Sequence, residues 1–335
     1  MTIDLRSDTV TKPTEAMRET MASAPVGDDV YGEDPTINRL EETAAALLET
    51  DSALFCASGT QGNLLALLAH CQRGDEFIVG QNAHTYQYEG GGAAALGSMH
   101  PQPLDFEADG TLDLDKVAAI IKPDDYHFPP TKLLCLENTR GGSVLPLDYL
   151  QATRRFVDER GLGLHLDGAR IFNASIALGI PVTDISRNFD SISFCLSKGL
   201  GAPVGTLLCG SADLVTEARR WRKALGGGMR QAGIIAAAGL YALENHIERL
   251  AEDHANAALL ARGLSDVDGI DVTNVQTNMV YIDVGDADSH SLIAFLQQRG
   301  VLIQGQGQLR LVTHLDVDDK DIETAIAAFK EFFSA

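Results

Sequence analysis

The chain is poor in cysteine, in tryptophan and in basic side chains. Its 335 residues include 5 cysteines and 1 tryptophan. Cys56, Cys71, Cys135, Cys195 and Cys209 are odd in number and form no CxxC pair, which argues against a zinc site, and no metal is expected. Most lie in apolar runs, so buried free thiols in a reducing cytoplasm are the reading. Lysine and arginine total 26 against 47 acidic residues, a formal net charge of -21. That balance argues against nucleic acid or an anionic membrane as a partner, because phosphate contacts need basic patches. It leaves room for a locally positive pocket. No apolar run approaches the roughly 18 residues of a spanning helix. The opening MTIDLR has no apolar stretch of the kind a secretory leader needs, so a cytoplasmic protein is expected. Hydrophobic residues at 45% and charged residues at 22% are ordinary globular composition. The length allows one large domain or two unequal ones.

Strand-like and helical stretches alternate along most of the chain. Residues 36–48 have helical apolar spacing, 53–57 read as a short strand, and a long apolar helix opens at Gly59-Thr60 and runs to about Cys71. Strands are expected at 76–80, 132–137, 162–166, 192–195 and 205–209, with helices at 148–160 and 171–178. This rhythm implies a mostly parallel sheet with helices on both faces, and such sheets place ligands beyond the carboxyl ends of their strands. After Gly226–Arg230 the texture changes. A long alanine-rich helix is expected from about Ala232 to Leu264, bent or straight, followed by strands near 270–272, 278–283 and 309–312 and helices at 289–299 and 318–333. The expected organisation is an N-terminal arm (1–30), a large domain (31–240) and a small α+β domain (241–335).

The segment 190–205, DSISFCLSKGLGAPVG, is the most informative. It is a buried strand that ends at a single lysine, Lys198, followed by glycines. A lysine there is costly to desolvate unless it is neutral, paired or covalently used. The segment 162–170, LGLHLDGAR, is a second apolar strand ending in Asp167 and Arg170. An amine for a Schiff base, an acid for a pyridinium nitrogen and a nearby cation are the protein side of a pyridoxal 5'-phosphate (PLP) enzyme. Asp167 could equally be a helix N-cap, and Lys198 a strand-end residue reaching solvent. The turn 58–63, SGTQGN, could bind phosphate through Gly59, Thr60 and the helix N-terminus, or be an ordinary cap. His84, in the segment QNAHTYQYEGGG, could stack on a pyridine ring or move protons, or simply bond backbone in a loop. Arg170 and Arg310 could clamp a carboxylate, with a buried ion pair as the rival for Arg310. Arg230, after three glycines, could reach a phosphate or lie in solvent.

Taken together these segments carry a resemblance. The runs IDLRSDTVT (3–11), VGDDVYGEDP (26–35), HLDGARIFN (165–173), CLSKGLGAPVG (195–205) and GGGMRQ (226–231) are similar to those of the low-specificity L-threonine aldolases. These belong to the fold-type I, aspartate aminotransferase-like PLP enzymes, and the likeness covers nearly the whole length. The resemblance implies an α/β fold of the PLP-dependent transferase type I class, its mostly parallel sheet sandwiched by helices, with a small C-terminal α+β domain. It implies that Lys198 carries PLP, that Asp167 pairs with the ring nitrogen and that His84 stacks on the ring. Gly59 and Thr60 would hold the phosphate, joined by Arg230 of a neighbouring subunit. Ser7, Arg170 and Arg310 would bind the substrate carboxylate, Tyr88 would contact substrate, and Tyr31 would reach in from the partner chain. His127 would sit near the substrate β-hydroxyl. The implied reaction is reversible cleavage of L-threonine, L-allo-threonine and other L-β-hydroxy-α-amino acids to glycine and an aldehyde. The implied assembly shares its sites between subunits as a dimer of dimers. One departure stands out: ENTRGGS (137–143) stands where this family commonly reads ENTHNGK. On the same scaffold, a β-eliminating lyase or a β-hydroxyaspartate aldolase is the nearest rival. A non-catalytic phosphate-binding module is the rival from another class.

Overall fold

The computed structural model describes residues 2–285 and 287–334. Seven strands form one sheet in the order Ser52–Cys56, Thr206–Gly210, Ser191–Cys195, Gly163–Asp167, Thr131–Glu137, Glu76–Gly80 and His100–Leu104. Thr206–Gly210 runs antiparallel to both neighbours, and the remaining pairs are parallel. The strands Glu76–Gly80, Ser191–Cys195 and Thr206–Gly210 are buried at every position, as strands covered on both faces must be. The expected mostly parallel sheet with helices packed on it is the observed architecture.

The strand His100–Leu104 (HPQPL) was not expected from its sequence. It pairs only with Glu76–Gly80, and the sheet edge is where two prolines in one strand are tolerated. The long helix expected over 232–264 is two helices, Gly233–Asn245 and Leu250–Ser265. His246 ends the first, its Nδ1 bonding the Leu200 carbonyl at 2.7 Å. Shorter helices at Glu15–Ala22, Leu114–Ile120, Val182–Ser186 and Ala212–Ala224 were also not anticipated.

A second core gathers around the helices Leu250–Ser265 and Asp319–Phe333 and an antiparallel sheet ordered Gly305–Gln306, Gln308–Val312, Met279–Asp283, Asp271–Gln276. Ile3 and Leu5 belong to this core, and Ile3–Asp4 pairs in parallel with Val301–Leu302. Met17 packs instead into the core of the large sheet. The N-terminal segment therefore bridges the two cores. All five cysteines are buried and unpaired. Among the described residues no helix is long and apolar enough to cross a membrane.

What the sheet does for the site is set by register. Glu137 lies directly beside Asp167, and Asp167 beside Ser193, at the carboxyl edge of parallel strands. His84 follows Gly80 by one short turn, and Lys198 follows Cys195 by three residues. Four chemically active side chains thus emerge at one edge of the sheet.

Candidate active site

A cavity of about 680 Å³ opens at that edge. Ser7, His84, Tyr88, Arg170, Lys198 and Arg310, all singled out in the sequence, line it. Among the described residues no carboxylate forms an ion pair with the Lys198 amine; Asp8, His84 and Glu137 sense its charge.

Arg170 is held from behind. Its Nε and Nη2 donate to the two oxygens of Asp8 at 2.7 and 2.6 Å, and Asn278 donates to the same carboxylate at 3.3 Å. Burial opposes a charged Asp8, but the Arg170 charge and hydrogen bonds outweigh it and hold the carboxyl down at about 2. A fork fixed on one side leaves Nη1 to meet a second carboxylate in the cavity. Arg310 lies in the strand Gln308–Val312 opposite Tyr281. Its one hydrogen bond among the described residues is a 3.5 Å contact to the Arg6 carbonyl, so the buried ion pair weighed for it is not formed.

Asp167 does not cap the helix Ile171–Leu178, whose N-cap position is Arg170. Its Oδ1 accepts the Ala169 amide at 3.1 Å, and its Oδ2 accepts Asn63 Nδ2 at 2.8 Å. The same Nδ2 donates to Glu89 Oε1 at 2.7 Å, and that oxygen faces His84 Nδ1 at 2.9 Å. Asn63 is itself pinned by Ser193 Oγ and by His165, which burial pulls down to about 3 and so keeps neutral. The Glu89 hydrogen bond raises the His84 pKa against the effect of burial. Glu137 accepts the His84 backbone amide at 2.8 Å. Burial and the adjacent Asp167 charge push its carboxyl up to about 7. His84, Glu89 and Asp167 bring possible ligand atoms within 4.8 Å of one another, a convergence the Asn63 and His84 bonds account for.

Gly59 and Thr60 are the first residues of the helix Gly59–His70, outside the cavity wall itself. Ser58, not Thr60, caps it, accepting the Gln61 amide at 3.2 Å. A Cβ on Gly59 would come 3.0 Å from Cys195 Sγ, so this helix start is pressed against the strand that leads to Lys198. Gly227 packs against the end of the Gln61 side chain, where a Cβ would come within 2.2 Å of Nε2, and Gly226 holds a positive φ of 77°.

Three further expected residues lie well away from the cavity of the same chain. Tyr31 is 75% exposed, and Arg230 sits over its ring at 6.0 Å while pairing with Asp28 at 2.9 Å. The loop that carries Tyr31 is well anchored: Asp29 pairs with buried Arg222 at 2.6 Å, and Asp34 accepts the Gly233 amide at 2.9 Å. His127 lies on an exposed proline-flanked loop, bonded to Asp125 at 2.6 Å and ring to ring with Tyr126. Conversely, Asp8, Asn63, Glu89 and Glu137 were not singled out. Asn63 was legible in principle, as a polar residue beside an apolar run inside a helix, and Glu137 as an acid ending an apolar strand.

A lysine amine, a carboxylate and a fixed guanidinium gathered beyond the strand ends of an α/β sheet define an enzyme site for carbonyl chemistry on a carboxylate-bearing substrate. A family model described as beta-eliminating lyase matches residues 4–287. The low specificity L-threonine aldolase of Escherichia coli (strain K12) is 55% identical over 332 residues, 99% of each chain. A probable low-specificity L-threonine aldolase of Arabidopsis thaliana is 45% identical over 99% of this chain and 97% of its own. Among solved structures, the threonine aldolase of Leishmania major superposes with a TM-score of 0.84 over 99% of both chains at 22% identity, a likeness of fold. The chain belongs to the beta-eliminating lyase family and, within it, to the low-specificity L-threonine aldolases.

Proposed function

We propose that this enzyme reversibly cleaves L-threonine, L-allo-threonine and other L-β-hydroxy-α-amino acids to glycine and an aldehyde, acetaldehyde in the case of threonine, with PLP as cofactor. One observation carries the reading: the Lys198 amine shares a cavity with Arg170 and Arg310, beside buried Asp167. The residues present fit the cofactor. Lys198 would hold it covalently, Asp167 would face its ring nitrogen, and the Ser58-capped helix start at Gly59 and Thr60 would take its phosphate. When bound, the cofactor supplies an electron-poor ring that accepts the electron pair released from Cα.

The side chains of this chain do the rest. Ser7, Arg170 and Arg310 bind the substrate carboxylate, which fixes the orientation of the Cα–Cβ bond and selects it for cleavage. Tyr88 closes the substrate side. His84 is the candidate base for the β-hydroxyl proton. With Nδ1 engaged by Glu89, its Nε2 is the free nitrogen, and the same bond raises its proton affinity. His127 is the second candidate base, and its exposed loop would have to fold over the cavity.

The site is proposed to be shared between subunits, in a dimer that pairs into a tetramer. Tyr31 and Arg230 would enter the partner's site. The support is that a firmly anchored loop holds Tyr31 outward, next to Arg230 and exposed Val30. A cytoplasmic setting belongs to the same proposal, in keeping with five free, buried thiols. The test is product analysis with threonine and added PLP. Glycine and acetaldehyde in equal amounts support the reading; ammonia and a keto acid would replace it with β-elimination.

A further inference from the structure

The charge of the cavity does not match the needs of a substrate with one carboxylate. The chain carries a formal net charge of -21, yet Lys198, Arg140, Arg170 and Arg310 line one cavity, in which Glu137 is the lining carboxylate. Arg170 is offset by Asp8. If the proposed function holds, Lys198 is committed to the cofactor, and Arg310 with the free edge of Arg170 suffices for an α-carboxylate. Arg140 is then surplus. Among the described residues no carboxylate pairs with it, and Glu137, the nearest acid along the chain, takes its hydrogen bond from His84 instead.

Local packing presents Arg140 to the cavity. Its guanidinium carbon lies 4.3 Å from the centroid of the Phe106 ring, and its Cδ would be 3.5 Å from a Cβ on Gly110. These contacts hold its stem and one face and leave its N–H edges free. Arg140 and Ser143 exchange backbone hydrogen bonds of 2.9 Å around Gly141 and Gly142, both at positive φ. A Cβ on Gly141 would meet the Tyr281 hydroxyl at 2.9 Å, and Tyr281 is the cross-strand partner of Arg310. The tight turn therefore seats Arg140 beside the strand pair that carries Arg310. The wall around them is polar, with Asn274, Thr273 and Gln308, and offers Met279 and Ala108 as its aliphatic side chains. A methyl substituent finds few aliphatic partners there, an aryl one would meet the Tyr88 and Tyr281 rings, and a second anion gains a guanidinium.

We infer that Arg140 is a specificity residue for an anionic β-substituent, and that β-hydroxy amino acids with a second carboxylate, the 3-hydroxyaspartates, are preferred substrates. This rests on the aldolase reading. The products are glycine and glyoxylate. The Cα–Cβ bond breaks, the β-hydroxyl loses its proton as its oxygen becomes the aldehyde carbonyl, and the electron pair left on Cα takes up a proton. No oxidant or reductant is required.

The experiment uses the PLP-loaded enzyme. Glycine release is measured from L-threo- and L-erythro-3-hydroxyaspartate and from L-threonine, for the wild type, Arg140→Met and Arg140→Lys. The wild type is expected to favour at least one hydroxyaspartate by about tenfold or more in kcat/KM, and Arg140→Met to lower that ratio by about tenfold or more, with Arg140→Lys in between. Binding of two non-cleavable amino acids supplies an independent reading. L-Aspartate should bind the wild type more tightly than L-2-aminobutyrate, and Arg140→Met should abolish the difference. A ratio that Arg140→Met leaves flat, or equal losses on both substrates, would overturn the inference while threonine cleavage leaves the aldolase reading standing. Absence of glycine from every substrate would overturn both.

Discussion

Asp8 holds Arg170 at the end of the cavity proposed to take the substrate carboxylate. It is fully buried and joins three parts of the molecule: the N-terminal segment that carries it, Arg170 beyond the strand Gly163–Asp167, and Asn278 next to the small sheet. Asp8→Ala removes both acceptors of the Arg170 fork and leaves a guanidinium in a largely buried place without its counter-charge. Breaking a buried ion pair from one side costs about 3–5 kcal/mol. The pair also has a pH signature. The Asp8 carboxyl moves from its ordinary 3.8 to about 2 in the folded protein. At ~1.4 kcal/mol per unit, that difference contributes about 2 kcal/mol of stability. Because the folded value is depressed, the contribution is fully present above about pH 4 and is lost as the pH falls through about 2. Urea denaturation between pH 2 and 7 measures both effects. The variant should be less stable than the wild type by about 3–5 kcal/mol at pH 7, with the gap narrowing by about 2 kcal/mol toward pH 2. A gap below about 1 kcal/mol at pH 7, or one independent of pH, would refute the role given to Asp8.

Glu137 predicts the opposite pH behaviour. Its folded value is raised to about 7, so its ionisation costs stability as pH rises from about 4.5 through 7. In the cofactor-free protein Glu137→Gln should therefore be neutral at pH 4 and stabilising by up to about 3 kcal/mol at pH 8, read by thermal or urea unfolding. His84→Phe should lower kcat for threonine by about 100-fold or more, the range of a lost general base, and His127→Phe by less; equal, near-wild-type rates would remove both from that role. A shared site predicts complementation. Mixed assemblies of Tyr31→Ala and Lys198→Ala subunits should recover activity that neither variant has alone, and no recovery on subunit exchange would mean that each chain works by itself.

The parts of the fold written in local pattern were legible in the sequence. Glu76–Gly80 and Ile171–Leu178 are found with the bounds expected, because a continuous apolar run and an apolar helical run that ends at left-handed Gly179 each depend on neighbouring residues alone. His100–Leu104 was not legible, since Pro101 and Pro103 break the strand pattern and only its place at the sheet edge permits them. The break at His246 was hidden for a similar reason: its cause is a hydrogen bond to Leu200, 46 residues away. At the site, Lys198, Asp167 and Arg170 announced themselves as charges ending apolar strands. Their supporting residues did not. Asp8 meets Arg170 across 162 positions, and Asn63 meets Asp167 across 104, so nothing in the spacing joins them. Arg230 and Tyr31 stand together on the outside, and the Arg230–Asp28 bond that brings their segments together spans 202 positions.

The central claim is that the Lys198 amine is the covalent attachment point for the chemistry. Lys198→Ala, purified with PLP, measures it most directly through two readings on one sample: visible absorbance of protein-bound cofactor and glycine released from threonine. The account predicts that the wild-type absorbance band and glycine release are lost together. A variant that keeps wild-type glycine release would contradict it.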